Sequence, residues 1–137
     1  MSQSSIESAL RKAWRDGAFF SDAQTAYDNS AFEPTAGTPW SRVSVIPSQP
    51  EVTSLGGNGY DEHNGVLQVD LFYPLNQGTG QINAKADAAR ELFKAGARFT
   101  YGGETAVIRS SGRNKGRKDG GWFKVTLTVI YFAHVAR

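Results

Sequence analysis

The chain has 137 residues, no cysteine, a formal net charge of +2 and 12% aromatic residues. This length suits one domain, residues 1–137, with a core of its own. The aromatic content excludes a disordered chain, and the lack of thiols excludes disulfides and thiolate metal sites. No run reaches the length of a membrane span and the first residues lack a signal-peptide core, so no membrane role is expected; the missing cysteines are compatible with a reducing compartment.

Ser4 and Glu7 stand at capping-box spacing, and Ile6, Leu10, Ala13 and Trp14 share one helical face. This predicts an opening helix that Gly17 ends. Residues 28–39, rich in Asn, Pro, Gly and Thr, read as an extended loop. Residues 40–46 read as a strand with Val43 and Val45 inward. Residues 47–65 hold two prolines and four glycines and predict a long irregular loop.

The block 64–93 is the most patterned. Leu67, Val69, Leu71 and Tyr73 alternate with Val66, Gln68, Asp70 and Phe72, the period of a half-buried strand, and Pro74 stops it. Ile82, Ala86, Ala89 and Phe93 then recur at helical spacing, widened by Leu92, with Gly96 as a left-handed stop. Residues 98–101 and 105–109 form a hairpin about Gly102-Gly103. Residues 122–132 form a last strand with Phe123, Val125, Leu127, Val129 and Tyr131 on one face. This order predicts an α+β fold: a mostly antiparallel or mixed sheet, with the N-terminal and central helices packed on one face.

A strand, a Gly-Thr-Gly turn and a helix suggest a phosphate cradle, but the chemistry does not follow. Gly78 and Gly80 match the first two glycines of a dinucleotide fingerprint; Asn83 stands where the third belongs. The seven-residue connection 75–81 is too loose for that turn, and no Gly-Lys-Ser/Thr triplet occurs. Asp61, Glu62 and His63 sit together without zinc-type spacing, and read as a solvated loop rather than a cation site. His134 reads as the frayed end of the last strand. Asp22, Asp28 and Asp70 are scattered, and no serine lies in a G-x-S-x-G elbow. Neither an enzyme nor a cofactor is expected.

Charge is the stronger local signal. Residues 109–121, RSSGRNKGRKDGG, carry net +4 in a chain of net +2, which leaves the remainder net negative. The segment has no apolar residue and lies between strands. It predicts a long, mobile basic hairpin arm, each half reaching roughly 20 Å when extended. Arg109, Arg113, Lys115, Arg117 and Lys118 are therefore candidate contacts for an acidic surface. Such a surface is a partner protein or, in an alternative reading as a small nucleic-acid-binding module that uses residues 109–118, phosphates. No aromatic is interleaved for base stacking. Tyr60, Asp61 and Glu62, in the predicted loop, are the other candidate contacts.

Three blocks, IESALRKAW, TAYDNSAFEPTAGTPWSRVSVIP and NGVLQVDLFYPLNQGTGQINAKADAARELF, make up most of residues 4–93. In order they show a Tyr-Asp-Asn turn, a Phe-x-Pro, a Trp-led strand, a Gly-Val-x-Gln-Val-Asp strand, a glycine turn and an Ala-Asp helix. This pattern resembles the tail terminator, or tail completion, proteins of long-tailed bacteriophages; beyond residue 93 only the strand pattern fits, and the basic segment has no counterpart in it. The resemblance implies a structural virion subunit at the head-proximal end of the tail, assembled in the host cytoplasm. It implies a homo-oligomeric ring, commonly a hexamer, that caps the tail tube, stops its polymerisation and offers a docking face to the head-tail connector. The implied partners are thus other copies of the chain, the tail tube protein and the connector protein.

Overall fold

The computed structural model describes residues 3–52, 56–57 and 59–136. Helix α1 (Gln3–Asp16) buries Ile6, Ala9, Leu10, Ala13 and Trp14 along one stripe. Ser4 lies inside its first turn rather than ahead of it, and Glu7 receives Arg11 Nη2 at 2.9 Å one turn on. A 3-10 turn, Asp22–Gln24, leads into β1 (Thr25–Tyr27). Then follow β2 (Trp40–Pro47), β3 (Glu51–Val52) and β4 (Tyr60–Pro74). Helix α2 (Gly80–Leu92) precedes β5 (Arg98–Tyr101), β6 (Glu104–Arg113), β7 (Arg117–Asp119) and β8 (Trp122–Ala136).

The strands form one sheet in the order β1-β2-β4-β8-β6-β5, with β3 added to β4 and β7 added to β8. Its centre is the antiparallel β4–β8 pair, in register from Tyr60↔Ala136 to Pro74↔Trp122. The odd-numbered side chains of β2, β4 and β8 point into the curl of the sheet. There Val43, Leu67, Leu71, Leu127 and Tyr131 join Ile6, Leu10 and Trp14 of α1, Ile82, Ala86 and Ala89 of α2, and Phe93 just beyond it, in one hydrophobic cluster. Each fully buried large side chain of this kind stabilises by about 1.5–3 kcal/mol.

The predicted fold class needs correction. Among the described residues 46% are strand and 23% helix, and the sheet is a curled, mixed half-barrel with two helices, not a mostly antiparallel α+β layer carrying helices on a face. The mixed character comes from β1, which runs parallel to β2. The curl follows from strand length and local geometry. Long twisted strands coil, and the register shift between Ile108 and Ser110 in β6 is a bulge that adds twist.

Two segment boundaries also move. Strand β4 begins at Tyr60, so the last part of the predicted loop 47–65 is strand; residues 53–55 and 58 of that loop lie outside the described residues. The predicted arm 109–121 does not project as a free hairpin. Its first part belongs to β6, which pairs with β8 as far as Arg113↔Leu127, and its later part is β7, which pairs with β8 from Arg117↔Lys124 to Asp119↔Trp122. Between them Asn114 stays bonded to Thr126 of β8, through its backbone N–H at 3.1 Å and its side-chain Oδ1 at 3.0 Å. The segment is one interrupted strand lying along β8, because backbone groups beside a long strand gain ladder bonds that a projecting loop forgoes.

Candidate assembly surfaces

The candidate residues gather at opposite ends of the central strand pair. At one end β4 starts with Tyr60, Asp61 and Glu62, opposite Ala136, Val135 and His134 of β8, while β3 places Glu51 and Val52 opposite Glu62 and Asp61. Glu62 anchors this end. Its carboxylate accepts Asn64 Nδ2 at 3.1 Å, meets His134 Nε2 at 3.2 Å and lies 4.0 Å from Arg109 Nη2. The Asn64 hydrogen bond and then the His134 contact hold its carboxyl below the usual glutamate range. Arg109, at the bulge of β6, also lies over the Phe132 ring at 4.5 Å. Arg109 and Glu62, far apart in sequence, are thus brought together.

His63 points to the other face, where Nδ1 meets Gln3 Oε1 at 3.0 Å. Asp61, Glu62 and His63 do not converge, since successive strand residues alternate faces. His134 is a strand residue bonded to Glu62 rather than a frayed end. Among the described residues no group of three or more His, Asp or Glu side chains gathers as a metal site.

At the other end the basic residues divide. Arg113 is held by α2: Nε lies 3.4 Å from Asp87 Oδ1 and Nη1 3.4 Å from Asn83 Oδ1. Arg90 of α2 reaches back to the Ser111 carbonyl at 3.4 Å. Lys115, Arg117 and Lys118 are exposed and make no ion pair among the described residues. Asp119 is taken by Lys124, whose Nζ lies 3.3 Å away. The free positive charge is therefore three side chains on and beside the short edge strand β7.

Several contributors lie on the outer, even-numbered face of the sheet. Phe32 stacks on Trp40 at 5.1 Å, Trp40 on Phe72 at 4.0 Å, and Trp122 meets Trp40 edge-on at 6.1 Å. This second, smaller apolar cluster pins the 28–39 loop to the sheet. Further along, Ile46, Val66 and Ile130 stand side by side in register across β2, β4 and β8, with Ile46 and Ile130 exposed. The even positions of the last strand could have flagged Ile130 and Phe132, but only pairing aligns them with Ile46 and Val66.

The blocks that carry the sequence pattern are knitted to one another. Asp28 of the Tyr-Asp-Asn turn accepts Ser44 Oγ at 2.9 Å and the Val45 N–H at 3.2 Å. Arg42 of the Trp-led strand bonds Asp70 of the Gly-Val-x-Gln-Val-Asp strand, with Nη2–Oδ2 at 2.8 Å and Nε–Oδ2 at 3.1 Å. Gly78 adopts a φ of +71° in the loop before α2, whose N-cap Thr79 makes no side-chain capping bond. The motif residues therefore build the subunit.

A family model described as phage tail terminator protein matches residues 5–131. One solved chain superposes with a TM-score of 0.77 at 23% identity, covering 97% of this chain and 96% of that chain. Another, from the virion of a native gene transfer agent particle, superposes with a TM-score of 0.56 at 18% identity, covering 98% and 96% of the two chains. At these identities the two structures show a shared fold alone. No curated protein matches. With the family model spanning nearly the whole chain, this protein belongs to the phage tail terminator family.

Proposed function

We propose that this protein closes into a ring, commonly of six copies in this family, on the head-proximal end of the tail tube. There it stops tube polymerisation and presents a docking face to the head-tail connector. Membership of the family makes it a structural virion component. The observation that carries the reading is the family match over residues 5–131. The subunit's surface supports it: exposed Ile46 and Ile130 flank Val66 in one apolar row across β2, β4 and β8. Assembly takes place in the host cytoplasm, with the tube and connector proteins as partners.

The test is tail assembly with and without the protein. Tubes assembled without it should overgrow and fail to join heads, and added protein should cap them at one end as a ring visible by electron microscopy. Tubes of normal length that join heads in its absence would sink the reading. The nucleic-acid alternative has less to stand on, since the basic segment lies along β8 and Arg109 and Arg113 are engaged within the subunit.

A further inference from the structure

We propose that β3 of one copy pairs edge to edge with β7 of the next, Glu51 facing Arg117 and Lys118, and that this contact is the repeating joint of the ring. The inference rests on the ring reading and names the surfaces that make it.

Both strands are edges. Among the described residues β3 pairs only with β4, and β7 only with β8. Each therefore leaves the backbone N–H and C=O of one or two residues directed outward, enough for a short strand addition. They lie on opposite margins of the sheet and at opposite ends of it. Strand β3 lies beside Asp61 and Glu62, opposite the Val135 end of β8, whereas β7 lies beside Trp122–Lys124 at that strand's start. The 15 residues of β8 separate them by at most roughly 45 Å at about 3.3 Å per residue.

Direction suits the joint. Strand β3 is antiparallel to β4, β4 to β8, and β8 to β7. Within one subunit β3 and β7 therefore run in opposite directions. Two copies in similar orientation, displaced along and across the strands, bring β3 against β7 as an antiparallel pair. A modest rotation at each step closes such a head-to-tail series into a ring.

Charge selects the same pairing. Glu51, Lys115, Arg117 and Lys118 are exposed and have no ion pair among the described residues, whereas Glu62, Arg109 and Arg113 are already engaged within the subunit. The β3 margin thus offers Glu51, and the β7 margin offers three cations. Apolar surface accompanies both: Val52 and Tyr60 are 62% and 51% exposed at the first, and Trp122 is half-buried at the second. Like-on-like contacts are opposed. A two-fold β3–β3 contact centred on Glu51 would set it against its own copy, and a β7–β7 contact centred between Arg117 and Lys118 would set each against the other, both unfavourable across strands. The surface disfavours closed dimers and favours the head-to-tail joint.

Reciprocal charge reversal tests this. One variant, Lys115→Glu with Arg117→Glu and Lys118→Glu, has two acidic margins; the other, Glu51→Lys with Val52→Lys, has two basic ones. Each is checked for native melting and far-UV circular dichroism, and the milder pair Arg117→Gln with Lys118→Gln serves where reversal impairs folding. By native mass spectrometry and electron microscopy on tube ends, each variant alone should lose the ring, with at least a tenfold weaker subunit association. A one-to-one mixture should recover rings of alternating subunits. The proposal is overturned if either folded variant alone forms rings as the wild type does, or if both lose them and the mixture does not restore them. Wild-type protein that forms no ring, alone or on tube ends, would overturn the ring reading and the joint with it.

Discussion

Arg42 and Asp70 face each other directly across β2 and β4, and the guanidinium grips one carboxylate oxygen through both Nε and Nη2. The Asp70 side chain is 2% exposed, and its other oxygen accepts Thr126 Oγ1 from β8 at 2.7 Å. One carboxylate thus ties three neighbouring strands on the outer face. Asp70→Ala should destabilise the fold by about 1–3 kcal/mol, because Arg42 and Thr126 lose the carboxylate that joins them. Arg42→Ala should cost about 2–4 kcal/mol, because it leaves the buried Asp70 carboxylate without its cation, held only by Thr126 and, at 3.4 Å, Gln68 Nε2. Chemical denaturation of the single and double variants measures the coupling; an additive double variant would show that the pair does not act as a unit.

Gly65 is the tightest glycine of the sheet. A Cβ there would lie 2.5 Å from the Ile46 carbonyl oxygen and 2.8 Å from the Tyr131 hydroxyl. Because the first neighbour is backbone, Gly65→Ala should cost about 1–3 kcal/mol through forced displacement of β2. Gly112→Ala, with no neighbour within 4 Å, should stay within about 0.5 kcal/mol of the wild type. Thermal melts of the two variants separate crowding from loss of glycine itself.

Acid should loosen the Glu62 end first. The carboxyl of Glu62 is depressed below its ordinary value of 4.5, chiefly by Asn64 and then by His134. A depressed carboxyl contributes stability that is present above the ordinary pKa and is lost as pH falls through the folded-state value. Melting temperatures from pH 7 to pH 3 should show Glu62→Gln less stable than wild type at neutral pH, with the gap closing below about pH 4.5. A gap independent of pH would show that the charge of Glu62 is not what stabilises.

Alkali should act on the core. Burial pushes the Tyr131 hydroxyl above its ordinary 10.0, partly countered by the Gln3 side chain, which donates at 3.1 Å; burial raises Tyr73 in the same sense. A raised tyrosine contributes stability that is complete below the unfolded value and lost as pH rises through the folded one. Stability should therefore fall above about pH 10, and Tyr131→Phe should flatten that fall. Tyrosinate absorbance recorded alongside unfolding checks the order of events: ionisation of Tyr131 in the still-folded protein would refute it.

Local pattern found the elements whose partners are close in sequence. The stripe Ile6, Leu10, Ala13 and Trp14 is buried as read, as are Ile82, Ala86, Ala89 and Phe93. The Gly102-Gly103 turn joins β5 to β6, with both glycines at positive φ. What pattern missed depends on distant partners. Tyr60–Asn64 looks like loop because it is polar, yet it is strand because β8 lies beside it. The basic run looks like an arm because nothing in it is apolar, yet its backbone bonds along β8. Asp70 and Lys124 look like solvent-facing positions, yet each is buried beside an ion-pair partner. The candidate contacts were legible as charges only; which of them remain unengaged depends on α2 and on β6.

Strand β8 comes later in the chain than every strand it joins, yet it is flanked by β4 along its full length and by β6 and β7 on its other side. During synthesis β4 and β6 must wait, each with a bare side, until it emerges from the ribosome. Closure of the sheet therefore waits for β8 and is governed by long-range pairing, and such topologies fold slowly. A nascent chain that still lacks β8 therefore cannot present the finished outer face, on which Ile130 stands beside Val66 and Ile46.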